Sequence, residues 1–227
     1  MNKALTMALV ATLAGGSVMA QAYEAGDFIL RVGATTVDPD SGSDKINLPT
    51  LPPLHAEVDD DTQLGLIPVY MFTDNVGIEL LAATPFEHDI SVRGAGGINV
   101  PAGSTKHLPP TLSMQYYPRG GKSGWQPYVG IGVNYTIFFD EETSKDLDGV
   151  LNGTIGATKV DLNLDNSFGL AAQAGVDIPI TKHIALNAAV WYIDIDTNAK
   201  LKTDVGNVYF KTQIDPLVYN VGIAYKF

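Results

Sequence analysis

Between Tyr219 and Phe227 every second residue is large and apolar: Tyr219, Val221, Ile223, Tyr225 and Phe227 alternate with Asn220, Gly222, Ala224 and Lys226. Successive side chains of a strand point to opposite faces, so this segment shows one apolar face and one small or polar face. The same period of two recurs along the chain, over residues 26–37, 62–73, 76–88, 108–117, 126–138, 166–178 and 184–198, before the closing segment 211–227. Representative faces are Leu64, Leu66, Tyr70 and Phe72 against Gln63 and Gly65, and Val129, Ile131, Val133 and Tyr135 against Gly130, Gly132 and Asn134. No apolar run after the first residues approaches the ~20 residues that a membrane-spanning helix needs. Alternation is invisible to a hydropathy window, so a barrel that crosses the membrane with strands remains allowed.

The connectors separate into two classes. Those at 74–75, 118–125 and 179–183 are short, whereas 38–61, 89–107, 139–165 and 199–210 are long and hold most of the Asp, Gly and Ser. Short turns at one rim and long loops at the other predict an all-β fold, an eight-stranded antiparallel transmembrane β-barrel with both termini on the periplasmic side. Aromatic rings are stable at the water–lipid boundary. Phe72, Tyr116, Tyr117, Trp125, Tyr128, Tyr225 and Phe227 are expected to form a lower girdle, with Phe86, Phe138, Phe139 and Tyr192 in an upper one. The closing aromatic, in register with the apolar face, resembles the terminal signature by which bacterial outer-membrane barrels are handed to the barrel-assembly machinery during insertion.

The N-terminal segment agrees with export. Met1–Asn2–Lys3 is a short basic start, Ala4 to Val18 is mostly apolar, and Ala20-Gln21-Ala22 is a small-residue cleavage pattern. Residues 1–22 are therefore expected to be a signal peptide and 23–227 the outer-membrane β-barrel. The chain has no cysteine, which argues against a disulfide-stapled secreted domain. Its formal net charge of −11 disfavours nucleic acid, whose phosphates demand clustered Lys and Arg. The expected surroundings are outer-membrane lipids and lipopolysaccharide.

Eight strands enclose a lumen wide enough only for side chains or one small ligand, so a general porin is excluded. Parity turns Leu81 and Trp191 inward, above a polar lower lumen of Arg31, Glu79, Gln115, Gln173, Asp177, Asn187 and Asn220. Such an arrangement blocks ions and water as a constriction, and plain plug packing explains it equally well. Pro85 lies near the outer end of the third strand and Pro109–Pro110 open the fourth. Proline lacks the ladder donor, so these residues are expected to face one another across a gap in the wall, or else to mark two strands that end early.

Catalytic and metal readings are weaker. His55, His88, His107 and His183 lie in no run resembling an acyl-transfer site. His88 and His107 flank the second long loop with only Asp89 near them, a poor metal site and an ordinary place for solvated or hydrogen-bonded histidines. Asp59–Asp60–Asp61, Asp140–Glu141–Glu142 and Asp146-x-Asp148 are acidic enough for Ca²⁺ but lack a calcium-loop pattern, and solvated loops explain them better. No enzyme, cofactor or resident metal is expected.

Several segments carry a family resemblance: Glu24-Ala25-Gly26-Asp27-Phe28, Thr62 to Leu66, Thr73-Asp74-Asn75, Glu79 to Pro85 with His88, and His107-Leu108-Pro109-Pro110-Thr111-Leu112. Pro127 to Gly130, Asn134–Tyr135, Phe138 to Asp140, Trp191 to Thr197, Asp215–Pro216 and Tyr225-Lys226-Phe227 continue it. Together they resemble the OmpW family of small outer-membrane proteins (OmpW/AlkL/OprG-like) over nearly the whole length after residue 22. The resemblance implies an eight-stranded barrel in the Gram-negative outer membrane, with a narrow hydrophobic channel for passive uptake of small hydrophobic solutes and lateral exit into the membrane. It also implies a channel gate at Leu81 and Trp191 and a lateral opening at Pro109–Pro110, to which spacing adds Pro85. A structural or adhesive barrel acting through its extracellular loops is the alternative.

Overall fold

The computed structural model describes residues 22–40, 42–43, 45–46, 52–95 and 97–227. The expected signal peptide lies outside the described residues except for Ala22. β1 (Phe28–Asp38) starts at the short-turn rim and is followed by two short strands, β2 (Gly42–Ser43) and β3 (Leu54–Val58). β4 (Asp61–Met71) returns and a tight turn leads into β5 (Val76–Ala83). β6 (Phe86–Gly94) and β7 (Ile98–Leu108) continue outward and back, before β8 (Thr111–Tyr116) descends. β9 (Gln126–Thr143) rises to α1 (Lys145–Ile155) and β10 (Val160–Leu164), and β11 (Ser167–Pro179) descends. The last four are β12 (Ile184–Ile193), β13 (Asp196–Thr203), β14 (Gly206–Gln213) and β15 (Leu217–Lys226).

Eight of these strands, β1, β4, β5, β8, β9, β11, β12 and β15, pair antiparallel in that order, and β15 closes the ring on β1. Closure removes sheet edges, the condition for strands to cross a membrane. The outer face is apolar, with Ile131, Phe168, Leu170 and Val221 more than 60% exposed. Inward positions are close-packed. A Cβ on Gly175 would come within 2.3 Å of the Tyr128 ring, so only glycine there lets that ring fill the lumen.

The long connections are more ordered than polar loops. β6 and β7 form a hairpin that β3 and the upper part of β9 extend, and β10, β13, β14 and β2 make a second sheet above the other side of the rim. α1 is capped at both ends: Ser144 accepts from the Leu147 amide, and Gly156 takes the left-handed conformation (φ 75°) that ends the helix. Its Leu147 and Leu151 are buried under the two sheets. Four barrel strands are accordingly shorter at the outer rim than their alternation suggests: β8 begins at Thr111 rather than at residue 108. β5 stops at Ala83 and β12 at Ile193, and β15 begins only at Leu217, after Asp215 adopts φ 33° beside Pro216. The girdle expectation needs correction too. Phe72, Tyr116, Trp125, Tyr225 and Phe227 are exposed, but Tyr117, Tyr128, Phe86 and Phe138 turn inward and are buried.

The lower lumen is filled by the polar set expected from parity, all of it buried. Arg31 is its centre. Its guanidinium donates to Glu79 at 2.6 Å, to Asp177 at 2.7 and 3.2 Å, and to the Tyr117 hydroxyl at 2.9 Å. It also stacks 4.3 Å over the Tyr128 ring. Gln115 donates to Glu79 and to Gln173, while Asn187 donates to Asp177 and receives a bond from Asn220. Tyr23 reaches Asp177 from below. A planar fork with five donors suits a site where two carboxylates must be held in a dry place. Removing the cation leaves two buried charges without a partner. Arg31→Met should lower barrel stability by roughly 3–5 kcal/mol, read as a lower urea midpoint for unfolding from lipid vesicles; an unchanged midpoint would contradict this account of the plug.

Candidate functional site

Above the polar plug the lumen changes character. Leu81 and Trp191 are both fully enclosed, in one apolar cluster with Val37, Ile67, Phe86, Phe138, Ile193, Ile195 and Val218. Trp191 belongs to both layers: its ring packs in the cluster while its indole N–H donates to Glu79 at 3.3 Å. The two residues expected to face inward therefore meet in one sealed layer. Beneath it the lumen is filled by the buried polar set just described, all of it hydrogen-bonded except Nε2 of Gln173.

Over this layer lies an apolar cavity of about 70 Å³. Leu54, Val92, Ala102, Leu151, Leu162 and Leu201 line its upper part, from the two outer sheets and α1. Phe138, Ile195 and Ile214 line it where it meets the sealed layer. These residues lie mostly in segments whose composition reads as loop. Their inward positions are alternate apolar residues too short in run to be read as strands without the partner sheet.

The wall beside the sealed layer is interrupted. β5 and β8 are paired from Val76↔Tyr116 to Leu81↔Thr111, and pairing resumes only at Phe86↔His107 in the β6–β7 hairpin. Between them lie Ala82 to Pro85 on one side and Leu108 to Pro110 on the other. Each edge is tied to its outer neighbour instead. Thr84 donates from its amide to the Leu64 carbonyl, and the Pro110 carbonyl accepts from the Tyr135 amide and from the Asn134 side chain. The three prolines thus sit at a break in the ladder between the third and fourth barrel strands. Pro85 is exposed, Pro109 buried and Pro110 half-buried, and none of them lines the cavity.

The histidines behave differently from solvated loop residues. Phe86 and His107 are cross-strand partners, and His88, two residues along β6, shares their inward face. His88 and His107 are buried with their Nε2 atoms 2.7 Å apart, and both line the cavity. His88 Nδ1 donates to the Asp59 carbonyl at 2.6 Å. His107 is stacked against Phe86 and Phe138, with centroids at 5.5 and 5.8 Å. Burial and the neighbouring His88 ring push the pKa of His107 down to about 3, and burial lowers that of His88 as well. Asp89 is exposed, on the opposite face of β6, so it brings no third ligand to the pair.

The remaining polar candidates lie apart from the cavity. His55 is exposed on β3, and His183 Nδ1 sits 2.9 Å from the Lys226 carbonyl. Asp146 and Asp148 occupy the first turn of α1, where negative charge complements the helix dipole. Asp61 accepts from Thr62, Gln63 and Glu87, and Asp140 pairs with Lys106. A group distant in sequence was not foreseen: Asp194, Asp196 and Asp215 bring carboxylate oxygens within 4.8 Å, and Lys211 neutralises Asp196 at 2.6 Å.

Comparison with known proteins agrees with this architecture. The OmpW family profile matches residues 24–227. Outer membrane protein W of Vibrio cholerae is 44% identical, covering 97% of each chain. The crystal structure of OprG from Pseudomonas aeruginosa superposes with a TM-score of 0.81 at 42% identity, covering 92% of this chain and 99% of that one. The solid-state NMR structure of AlkL in lipid bilayers shares the fold, with a TM-score of 0.64 at 21% identity over 98% and 97% of the two chains. The chain is thus an outer-membrane β-barrel that belongs to the OmpW family.

Proposed function

We propose that the protein is a passive channel for small, mainly apolar molecules, which enter the cavity between the long-loop sheets, pass the Leu81/Trp191 layer and leave sideways into the membrane. The observation that carries this reading is the stacking of three layers in one lumen: an apolar cavity, a sealed apolar constriction, and a hydrogen-bonded plug beneath it. A solute that has shed its water in the cavity gains nothing by entering the plug, where it would break charge-assisted bonds. The break at Pro85 and Pro109–Pro110 offers the route of lower cost. Each edge of this break takes its hydrogen bonds from its outer neighbour, so the two edges can part without stranding backbone groups in hydrocarbon. The family resemblance points the same way. Uptake of this kind uses no energy source, cofactor or chemical step, and its partners are the solute, the surrounding lipid and lipopolysaccharide, and the assembly machinery that inserts the barrel.

Gate and exit are separable by mutation. Leu81→Ala should raise solute flux into vesicles while leaving ion conductance at its wild-type level, because the Arg31 plug is untouched; new ion conductance would mean that Leu81 seals an axial pore. Pro109→Ala together with Pro110→Ala returns two amide donors to the segment that leads from β7 into β8. At about 1 kcal/mol per net hydrogen bond, this should slow solute flux by roughly thirtyfold in a barrel that still folds. Flux unchanged in the doubly substituted protein would remove lateral exit from the account.

A further inference from the structure

Among the described residues that line the apolar cavity, one buried side-chain atom has no hydrogen-bond partner, Nδ1 of His107. Its state follows from its neighbours. The Asp59 carbonyl can only accept, so His88 Nδ1 must carry a proton and donate to it. His88 is neutral in this apolar place, which leaves its Nε2 bare. The contact of 2.7 Å between the two Nε2 atoms then requires the proton on His107 Nε2. His107, neutral as well, is left with a bare lone pair on Nδ1. A relay from a backbone carbonyl thus fixes two tautomers and ends in an acceptor that no group among the described residues meets. Of the three threonine hydroxyls in the lining, that of Thr197 donates to the Asp165 carbonyl and that of Thr105 to the Lys106 carbonyl, while Thr212 brings a third polar group.

We infer that His107 Nδ1 receives a hydroxyl or N–H of the solute, so that the cavity selects small neutral molecules with an apolar body and one donor group, such as primary alcohols and phenols. This specificity rests on the channel reading above and adds to it. An alkane or ether of equal size fills the same space but leaves the lone pair unmet, and an ether oxygen sets a second acceptor in an apolar place. A carboxylate or ammonium would bring a charge into an almost wholly apolar lining. One net hydrogen bond corresponds to about two- to tenfold tighter binding. The Phe86 and Phe138 rings stacked on His107 hold the imidazole in place, so the acceptor is preorganised and need not be ordered by the solute.

The test uses the full barrel refolded in phospholipid bilayers, with ¹⁵N-labelled histidine and ¹³C-methyl isoleucine. It compares 1-hexanol with its isomer dipropyl ether, which has the same atoms and no donor. Methyl shifts of Ile195 and Ile214 report occupancy by either compound, and the imidazole ¹⁵N resonances report hydrogen bonding at His107. Hexanol should move the Nδ1 resonance to a hydrogen-bonded position, the ether should not, and hexanol should bind two- to tenfold more tightly at equal bilayer concentration. His107→Phe should abolish that preference. Equal binding of the isomers with Nδ1 unmoved would overturn the inference and leave the channel reading standing. So would an Nδ1 resonance already hydrogen-bonded, by a resident water, and unchanged by alcohol. Binding of neither compound would overturn both.

Discussion

One guanidinium held between two carboxylates decides what this barrel can do. Arg31, Glu79 and Asp177 fill the lower lumen with charge-assisted hydrogen bonds that no entering solute can replace. A buried ion network is poor evidence of net stability, but it is an effective barrier, since breaking it strands charges away from water. It also positions what lies above. Glu79 receives the indole N–H of Trp191, and Leu81 follows two residues along the same strand face, so plug and constriction share one scaffold. The lumen is closed along its axis from the short-turn rim up to the sealed layer.

The upper half inverts this chemistry. The chain does not leave the barrel in loose loops but continues into two small sheets and a capped helix, whose inward side chains enclose an apolar space. Apolar solutes bind such a space by leaving water, and the gain scales with the apolar area removed. Where this upper structure joins the barrel, β5 and β8 part and each edge takes its hydrogen bonds from its other neighbour. The seam is satisfied on both sides yet unpaired across. That combination is the basis of the lateral exit proposed above.

How much of this was legible in the sequence follows from where period two dominates. In the barrel, one face meets lipid and the other a narrow lumen, so alternation is forced and parity assigned Arg31, Glu79, Asp177, Leu81 and Trp191 to the interior. Above the rim, strands β6, β7, β13 and β14 bury one face against the facing sheet and α1, and their inward positions include Thr, Ala and His as well as large apolar residues, so the period is weak. The His88–His107 pair shows the limit. Two histidines nineteen residues apart in a loop-like segment look solvated until a hairpin register makes Phe86 and His107 partners. Parity puts Tyr128 on the inward face with Gly130, Gly132 and Asn134, against its girdle assignment, whereas Tyr117 lies at a strand end, where a girdle and a lumen filler have the same composition.

The path of the solute tests the account most directly. An apolar alcohol carrying a diazirine, photolysed in bilayers that contain the folded barrel, would leave its mark on each residue it visits, to be located by mass spectrometry. Adducts should fall on the cavity lining, around Phe138, Ile195 and Ile214, and on the seam from Ala82 to Pro85 and Leu108 to Pro110. Adducts on Gln115, Gln173, Asn187 or Asn220, with the seam unlabelled, would show a route through the plug and contradict lateral exit.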